Sequence, residues 1–364
     1  TTSWWSVRNC RATARAQGTD GEERRGQATL RIYLDDDHVS VVSPATSVAA
    51  PIGEAVVIGV DATVDAVTAA SVDVVTSASP AEFGERRFEL GARATFTVTP
   101  RLALVATAIG SHENDYDSLR ASAGVRADLA EKNTRVEARY SLQRDAVGAA
   151  GRPDFARSRT SHDLTATISQ ILDQRTVLDL VVEGQLADGY HASPYRLVPI
   201  VLPLEPLPML VAEVTPARRA MVAASLRLRR AFGASWFANV MYRAYDDDWG
   251  VARHTGSLEV LRAVGDRILF GAALRGYLQS AADFWAATYV ATDGVAPAER
   301  TRDRTLAAMR SSYLSGNADI ALGGRDRAPH LIATIGAMRF WFVDVPAQAG
   351  RTAVLSTVTL SLPF

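Results

Sequence analysis

The stretch SLRASAGVRADLAEKNTRVEARYSLQ, residues 118–143, decides how the chain is read. Leu119, Ala121, Ala123, Val125 and Leu129 fall on one side of a two-residue period. Arg120, Ser122, Arg126 and Asp128 fall on the other. After the link Ala130-Glu131-Lys132 the alternation returns, with Val136, Ala138, Tyr140 and Leu142 set against Arg135, Glu137, Arg139, Ser141 and Gln143. Successive side chains of an extended strand point to opposite faces, whereas a helix of period 3.6 would mix the two sets. The stretch is two strands joined by a tight turn, each with one greasy and one charged face.

The same pattern spreads outward in both directions. In 87–98, Phe88, Leu90, Ala92, Ala94, Phe96 and Val98 oppose Arg87, Glu89 and Arg93. In 177–186, Leu178, Leu180 and Val182 oppose Asp179 and Glu183, and in 267–279, Ile268, Phe270 and Leu274 oppose Arg267 and Arg275. Strands are expected at 53–64, 85–98, 101–112, 118–129, 133–143, 161–172, 175–187, 218–230, 234–246, 252–264, 267–279, 302–314, 329–342 and 352–364. Their length suits a tilted membrane strand of ~9–11 residues. Short and long links alternate, with 65–84, 144–160, 188–217 and 280–301 the long ones; 315–328 is a long link on the otherwise short side. That asymmetry is the habit of outer-membrane barrels, whose periplasmic turns are short and outer loops long. The fold expected is all-β: a closed antiparallel transmembrane β-barrel of about fourteen strands, with sixteen or twelve as alternatives. The final segment carries Val354, Val358, Leu360, Leu362 and Phe364 against Thr357, Thr359 and Ser361 and stops on an aromatic, as such barrels do. Trp236, Tyr245, Trp249, Tyr277, Trp285 and Trp341, near strand ends, suit interfacial girdles.

Composition agrees. Of 364 residues, 48% are hydrophobic and 22% charged, too apolar for a disordered chain and too polar for a helical membrane protein. The formal charge of −1 argues against a nucleic-acid partner. One cysteine, Cys10, excludes an intrachain disulfide and is read as an inert thiol. Residues 1–26 are polar, arginine-rich and without period, hence a flexible extension lacking a leader pattern. Residues 27–52 are expected as a periplasmic or lumen-facing segment, and 53–364 as the barrel.

Several stretches resemble an uncharacterised Gram-negative outer-membrane β-barrel family, a domain of unknown function. They are Tyr33-Leu34-Asp35-Asp36-Asp37, the run SVDVVTSASP at 71–80, Asp115-Tyr116-Asp117-Ser118, Gly189-Tyr190-His191-Ala192-Ser193-Pro194-Tyr195-Arg196, and Tyr242-Arg243-Ala244-Tyr245-Asp246-Asp247-Asp248-Trp249-Gly250. The resemblance covers residues 27–364. It implies a barrel in the bacterial outer membrane and supplies neither substrate nor catalytic residues.

Four features could carry function. Asp35, Asp36 and Asp37, expected before the first strand, and Asp246, Asp247 and Asp248, at an outer strand end, must be solvated turns, arginine-paired, or wrapped around a hard cation such as calcium. The loop 188–217, with Tyr190, Pro194, Tyr195 and Arg196, is proline-rich and apolar, the composition of a lid or a partner surface. The segment 65–84 is an external hairpin or a constriction folded into the lumen. The expected lumen face carries Arg87, Arg93, Arg120, Arg126, Arg135, Arg139, Arg227, Arg229, Arg243, Arg267 and Arg275 against Glu89, Asp128, Glu137, Asp179 and Glu183. An arginine excess favours anions, and a salt-bridge lattice is the alternative. The six histidines have no metal-ligand spacing, and no nucleophile-elbow, P-loop or dinucleotide motif is present, so neither an enzyme nor a cofactor is expected. The leading expectation is porin-like passage of a small solute or peptide. A plugged barrel anchoring a lipoprotein or other surface protein comes second, and a barrel-embedded enzyme third. Outer-membrane lipid is the expected surrounding.

Overall fold

The computed structural model describes residues 24–69, 84–203, 205–323, 328–343, 345 and 350–364. In chain order the strands are β1 (Arg25–Asp35), β2 (Val39–Ile52), β3 (Val56–Ala69), β4 (Gly84–Thr99), β5 (Leu102–His112), β6 (Tyr116–Leu129), β7 (Thr134–Val147), β8 (Arg157–Asp173) and β9 (Thr176–Gly189). There follow β10 (Leu197–Val201), β11 (Met209–Ala212), β12 (Arg218–Phe232), β13 (Trp236–Asp247), β14 (Arg253–Val264), β15 (Ile268–Gln279), β16 (Tyr289–Val290), β17 (Met309–Ala321), β18 (His330–Phe342) and β19 (Gly350–Pro363). Sixteen of them close into one antiparallel barrel; β10, β11 and β16 form a separate small sheet in two long loops. The barrel shuts where β1 pairs with β19, from Arg25 opposite Pro363 to Asp35 opposite Ala353, so it leaves no open edge.

Burial runs opposite to that of a water-soluble protein. Leu90, Leu119, Leu274, Leu314 and Ile335 are each more than half exposed, while Asp179, Glu259 and Thr359 are buried. Apolar side chains therefore clothe most of the outside and polar ones most of the inside, with inward exceptions such as Val105, Leu261, Leu269 and Met338. No helix in the described residues is long and apolar enough to cross a membrane; the strands do the spanning, because a closed barrel satisfies every backbone group internally.

The strand count corrects the leading expectation of fourteen to the sixteen held as its alternative. The additional pair is β1 and β2, from the segment expected to lie beside the barrel. The sequence of β2, VSVVSPATSVAAPI, holds no charge on either face, so alternation does not announce it. It also contains Pro44, which cannot donate to a ladder. The β2–β3 pairing breaks at Ser43-Pro44 and resumes at Ala45. The strand expected at 302–314 is displaced to β17, so the inner link shrinks to 322–329. Ser315-Gly316-Asn317 has turn chemistry, yet it sits mid-strand, with the Asn317 side chain laid over Gly271 of β15. The expectations for residues 1–23, including Cys10, and for 70–83 lie outside the described residues.

Candidate functional site

The barrel's outer mouth is built from a corner that the chain uses twice. In Tyr33-Leu34-Asp35 at the end of β1, the Tyr33 hydroxyl donates to the Asp35 carboxylate at 2.8 Å, and the other carboxylate oxygen accepts the Asp37 and Val39 amides at 3.0 and 2.9 Å. In Tyr245-Asp246-Asp247 at the end of β13, Tyr245 donates to Asp247 at 2.7 Å, and the Trp249 and Val251 amides both donate to it at 3.0 Å. His38 and Gly250 occupy the same place in the two turns with φ of 61° and 80°, a left-handed conformation that glycine takes without strain and histidine does not. An arginine of a neighbouring strand completes each corner: Arg351 stands 3.6 Å from Asp35, and Arg219 makes two bonds to Asp247, the closer at 2.5 Å.

These positions correct the expectation for the first acidic run. With β1 and β2 in the barrel, Asp35, Asp36 and Asp37 crown the outer β1–β2 turn and share the rim with Asp246, Asp247 and Asp248. Arg339 stands 3.6 Å from Asp36 and Arg304 3.1 Å from Asp37, while Asp248 accepts the Ala220 amide and Asp246 points outward. Among the described residues no three carboxylate or histidine side chains converge on a point a cation could occupy. Arginines stand beside Asp35, Asp36, Asp37 and Asp247.

Over this rim lies a cap. β11, β10 and β16 make a three-stranded sheet from the 190–217 and 280–308 loops, with Val198 and Ile200 fully buried against Tyr289 and Ala291. Its centre is Glu213, whose buried carboxylate accepts from Arg196 at 3.0 Å, from the Ser193 amide at 2.6 Å and from the Thr301 hydroxyl. Arg196 also reaches Asp303 at 3.0 Å. The other residues singled out in this loop are latches as well. Tyr190 packs edge-on against Phe155, Arg152 donates to the Pro194 carbonyl, and the Tyr195 hydroxyl bridges the Ala150 amide and Asp115. Burial, with Asp115 alongside, pushes that hydroxyl up to about 12, so it remains a donor. The cap roots into the mouth through Trp249, Leu306 and Ala282, buried against Tyr245 and Ala223 of the wall. Glu213 and the 280–308 half were not singled out from sequence; the density of aromatics at Phe284, Trp285 and Tyr289 was the available signal. Of the six expected girdle aromatics, Trp236 and Trp341 face outward at strand ends. Tyr245 and Tyr277 point into the lumen, and Trp249 and Trp285 belong to the cap, because the two-residue period, not proximity to a strand end, decides the face.

His191 sits at this root, edge-on to Trp249 at 5.4 Å, its ring held by the Ala187 carbonyl. Burial, then the Arg159 and Arg219 guanidiniums, lower its pKa to about 4; Asp188 pulls weakly the other way. A neutral histidine in the closed cap and an ordinary one in the opened cap make acid the opening condition. The hold is complete above pH 6.5 and declines toward pH 4, by on the order of 1–2 kcal/mol. Amide exchange in 190–217 should accelerate across that window, and His191→Gln should flatten the dependence.

In the lumen, Arg87, Glu89, Arg93, Arg120, Arg126, Arg135, Glu137, Arg139, Asp179, Glu183, Arg227, Arg229, Arg243 and Arg275 all occupy inward positions of their strands; Arg267 lies in the inner turn before β15. Many of them pair along the wall: Arg87 with Glu89 at 2.5 Å, Arg135 with Asp128 at 2.6 Å, Arg139 with Glu137 at 2.6 Å, Arg229 with Asp179 at 2.8 Å, and Arg243 with Glu183. Asp61, Asp65, Asp163, Glu259 and Asp319 face inward too, and so do Arg31, Arg159, Arg219, Arg253 and Arg351, so the lumen carries more charge of both signs than the sequence count included.

A family profile described as a protein of unknown function (DUF3570) matches residues 13–320. The chain belongs to this family. The resemblance read from its motifs is to just such an uncharacterised barrel family. No functionally curated protein matches the DUF3570 chain. Among solved structures it is similar to CdiB from Acinetobacter baumannii, with 9% identity and a TM-score of 0.54, covering 93% of this chain and 60% of that one. It is also similar to a bacterial polysaccharide outer membrane secretin, with 9% identity and a TM-score of 0.51, covering 94% and 98%. The siderophore receptor PirA from Pseudomonas aeruginosa matches at 13% identity and a TM-score of 0.44, and the chain spans 56% of its length. At these identities the likeness is one of fold, that of outer-membrane β-barrels.

Proposed function

We propose that this DUF3570 chain resides in the bacterial outer membrane as a capped channel passing small solutes by diffusion, without chemistry. The observation that carries this reading is how the lumen side chains lie. A barrel of this strand number is wide enough for an aqueous channel, and Arg87 with Glu89, Arg139 with Glu137, Arg229 with Asp179 and Arg243 with Glu183 pair on the same or nearby strands, along the wall. Glycines let long side chains lie flat: Arg93 covers Gly59, Asp61 covers Gly91 and Tyr313 covers Gly336, each approaching the place a Cβ would fill. Arg93 and Arg126, with no ion pair among the described residues, give a mild anion preference. In planar bilayers the purified protein should show a stable open current favouring chloride modestly over potassium, and Arg93→Glu with Arg126→Glu should abolish the preference. A protein that inserts, runs as a folded barrel and carries no current would overturn the channel.

The second reading, an anchor for a lipoprotein or other surface protein, is favoured by one observation. The cap exposes Leu207, Leu210, Val290 and Val295, each by 60% or more. Isolated aliphatics on a surface are ordinary, but four on one small cap are a patch suited to a partner.

A further inference from the structure

The two sides of the lumen differ in kind. Among the described residues of β4 to β9, the only inward aromatic is Tyr116, at the outer rim; the rest of that wall is charged and polar side chains with scattered small aliphatics such as Val105, Ile109 and Val181. From β15 to β18 the inward positions carry Tyr277, Tyr313, Phe340 and Phe342, flanked by Arg275 of β15 and Arg351 of β19. The register stacks them into one strip. Arg275 stands opposite Tyr313, Tyr277 opposite Ser311, Ser311 opposite Phe340, and Phe340 opposite Arg351. The Phe340 and Phe342 rings lie parallel within 9°, centroids 6.2 Å apart, and the Arg351 guanidinium stands over Phe340 at 4.7 Å. Tyr277, Tyr313 and Phe340 are half-buried, each leaving part of its ring toward the bore.

Aromatic rings in a water-filled bore cost hydration, and a structural role does not require four of them on one side. Rings offer a face to a second flat ring, and arginines at the margin offer charge to an anion and stack on π-systems. We infer that this strip is a binding site for a small ring-bearing anion, an aromatic carboxylate or its like, which it holds by stacking on Phe340 and Tyr313 with the anionic group toward Arg275 or Arg351. The inference deepens the channel reading by naming the class of solute, and its test is independent of current.

The probe is 2-naphthoate, titrated into the detergent-solubilised protein and followed by its own fluorescence, with acetate and naphthalene methanol as single-feature controls. Naphthoate should bind saturably, and either control at least tenfold more weakly. Phe340→Leu keeps the bulk and loses the ring; it should weaken binding about tenfold, the worth of one stacked ring, while the folded barrel still shows heat-dependent gel mobility. Ser111→Ala, on the opposite wall, should change nothing. Equal affinity for acetate and naphthoate, or a folded Phe340→Leu protein binding as the parent does, overturns the inference. Binding without bilayer current would leave the strip standing and remove the channel. Current without binding would do the reverse.

Discussion

Asp247→Ala should lower the barrel's stability by about 3 kcal/mol, because it strands a largely buried guanidinium and two backbone amides. The Asp247 side chain is wholly buried and accepts five hydrogen bonds from four groups: two from Arg219, and one each from the Tyr245 hydroxyl and the Trp249 and Val251 amides. Removing the carboxylate leaves Arg219 charged against the Trp249 ring, 4.3 Å from its centroid, and frees two amides that close the turn. Tyr245→Phe, which removes one hydrogen bond, should cost only about 1 kcal/mol. Asp35→Ala, at the second copy of the corner, should fall between the two, since its arginine stands 3.6 Å away. Urea midpoints in lipid vesicles, scored by heat-dependent gel mobility, give all three. Equal midpoints for Asp247→Ala and Tyr245→Phe would show that the ion pair is not what holds the corner.

Glu213→Ala should detach the cap while sparing the barrel. The Glu213 side chain is 1% exposed and gathers Arg196, the Ser193 amide and the Thr301 hydroxyl, joining residues 88 apart in sequence. Its loss takes the Glu213 carboxylate from Arg196 and leaves Asp303 beside it at 3.0 Å, a local cost of about 2–4 kcal/mol, or one to three powers of ten in the fraction of time the cap is open. Limited proteolysis should cut within 190–217 at least tenfold faster, with the cleaved protein still migrating as a folded barrel. In bilayers the variant should spend more time at its highest conductance. Unchanged cleavage would mean that the apolar contacts of Val198, Ile200 and Tyr289 hold the sheet by themselves.

The barrel was legible because alternation is a local property: Leu119 against Arg120 declares a face within two residues. β2 was not, because Val, Ser, Ala and Pro distribute no charge between its faces, although β1 does carry Arg31, Tyr33 and Asp35 against Leu30 and Leu34. Missing that hairpin moved Asp35 from the rim to the far side of the membrane. The lumen positions followed directly from the period. Their energetics did not, since Arg243 meets Glu183 across an intervening strand and Asp163 and Glu259 sit on strands whose charges looked sparse. The proline-rich loop was marked by composition, but its partner loop and Glu213 meet only because two outer connections lie over one mouth.

The seam between β1 and β19 has a kinetic consequence. Thr29 and Thr359, both buried, meet hydroxyl to hydroxyl at 2.9 Å across 330 residues of chain. Every other neighbouring pair in the barrel is joined by a local hairpin or a single loop excursion, so this contact alone demands that the two far ends of the ribbon find each other. Loop-closure entropy makes such a contact the slowest to form. Until it does, two strand edges stand bare and sticky. The nascent protein must be chaperoned or inserted as a curved, unfinished sheet, and the same seam is where the finished wall would first come unzipped.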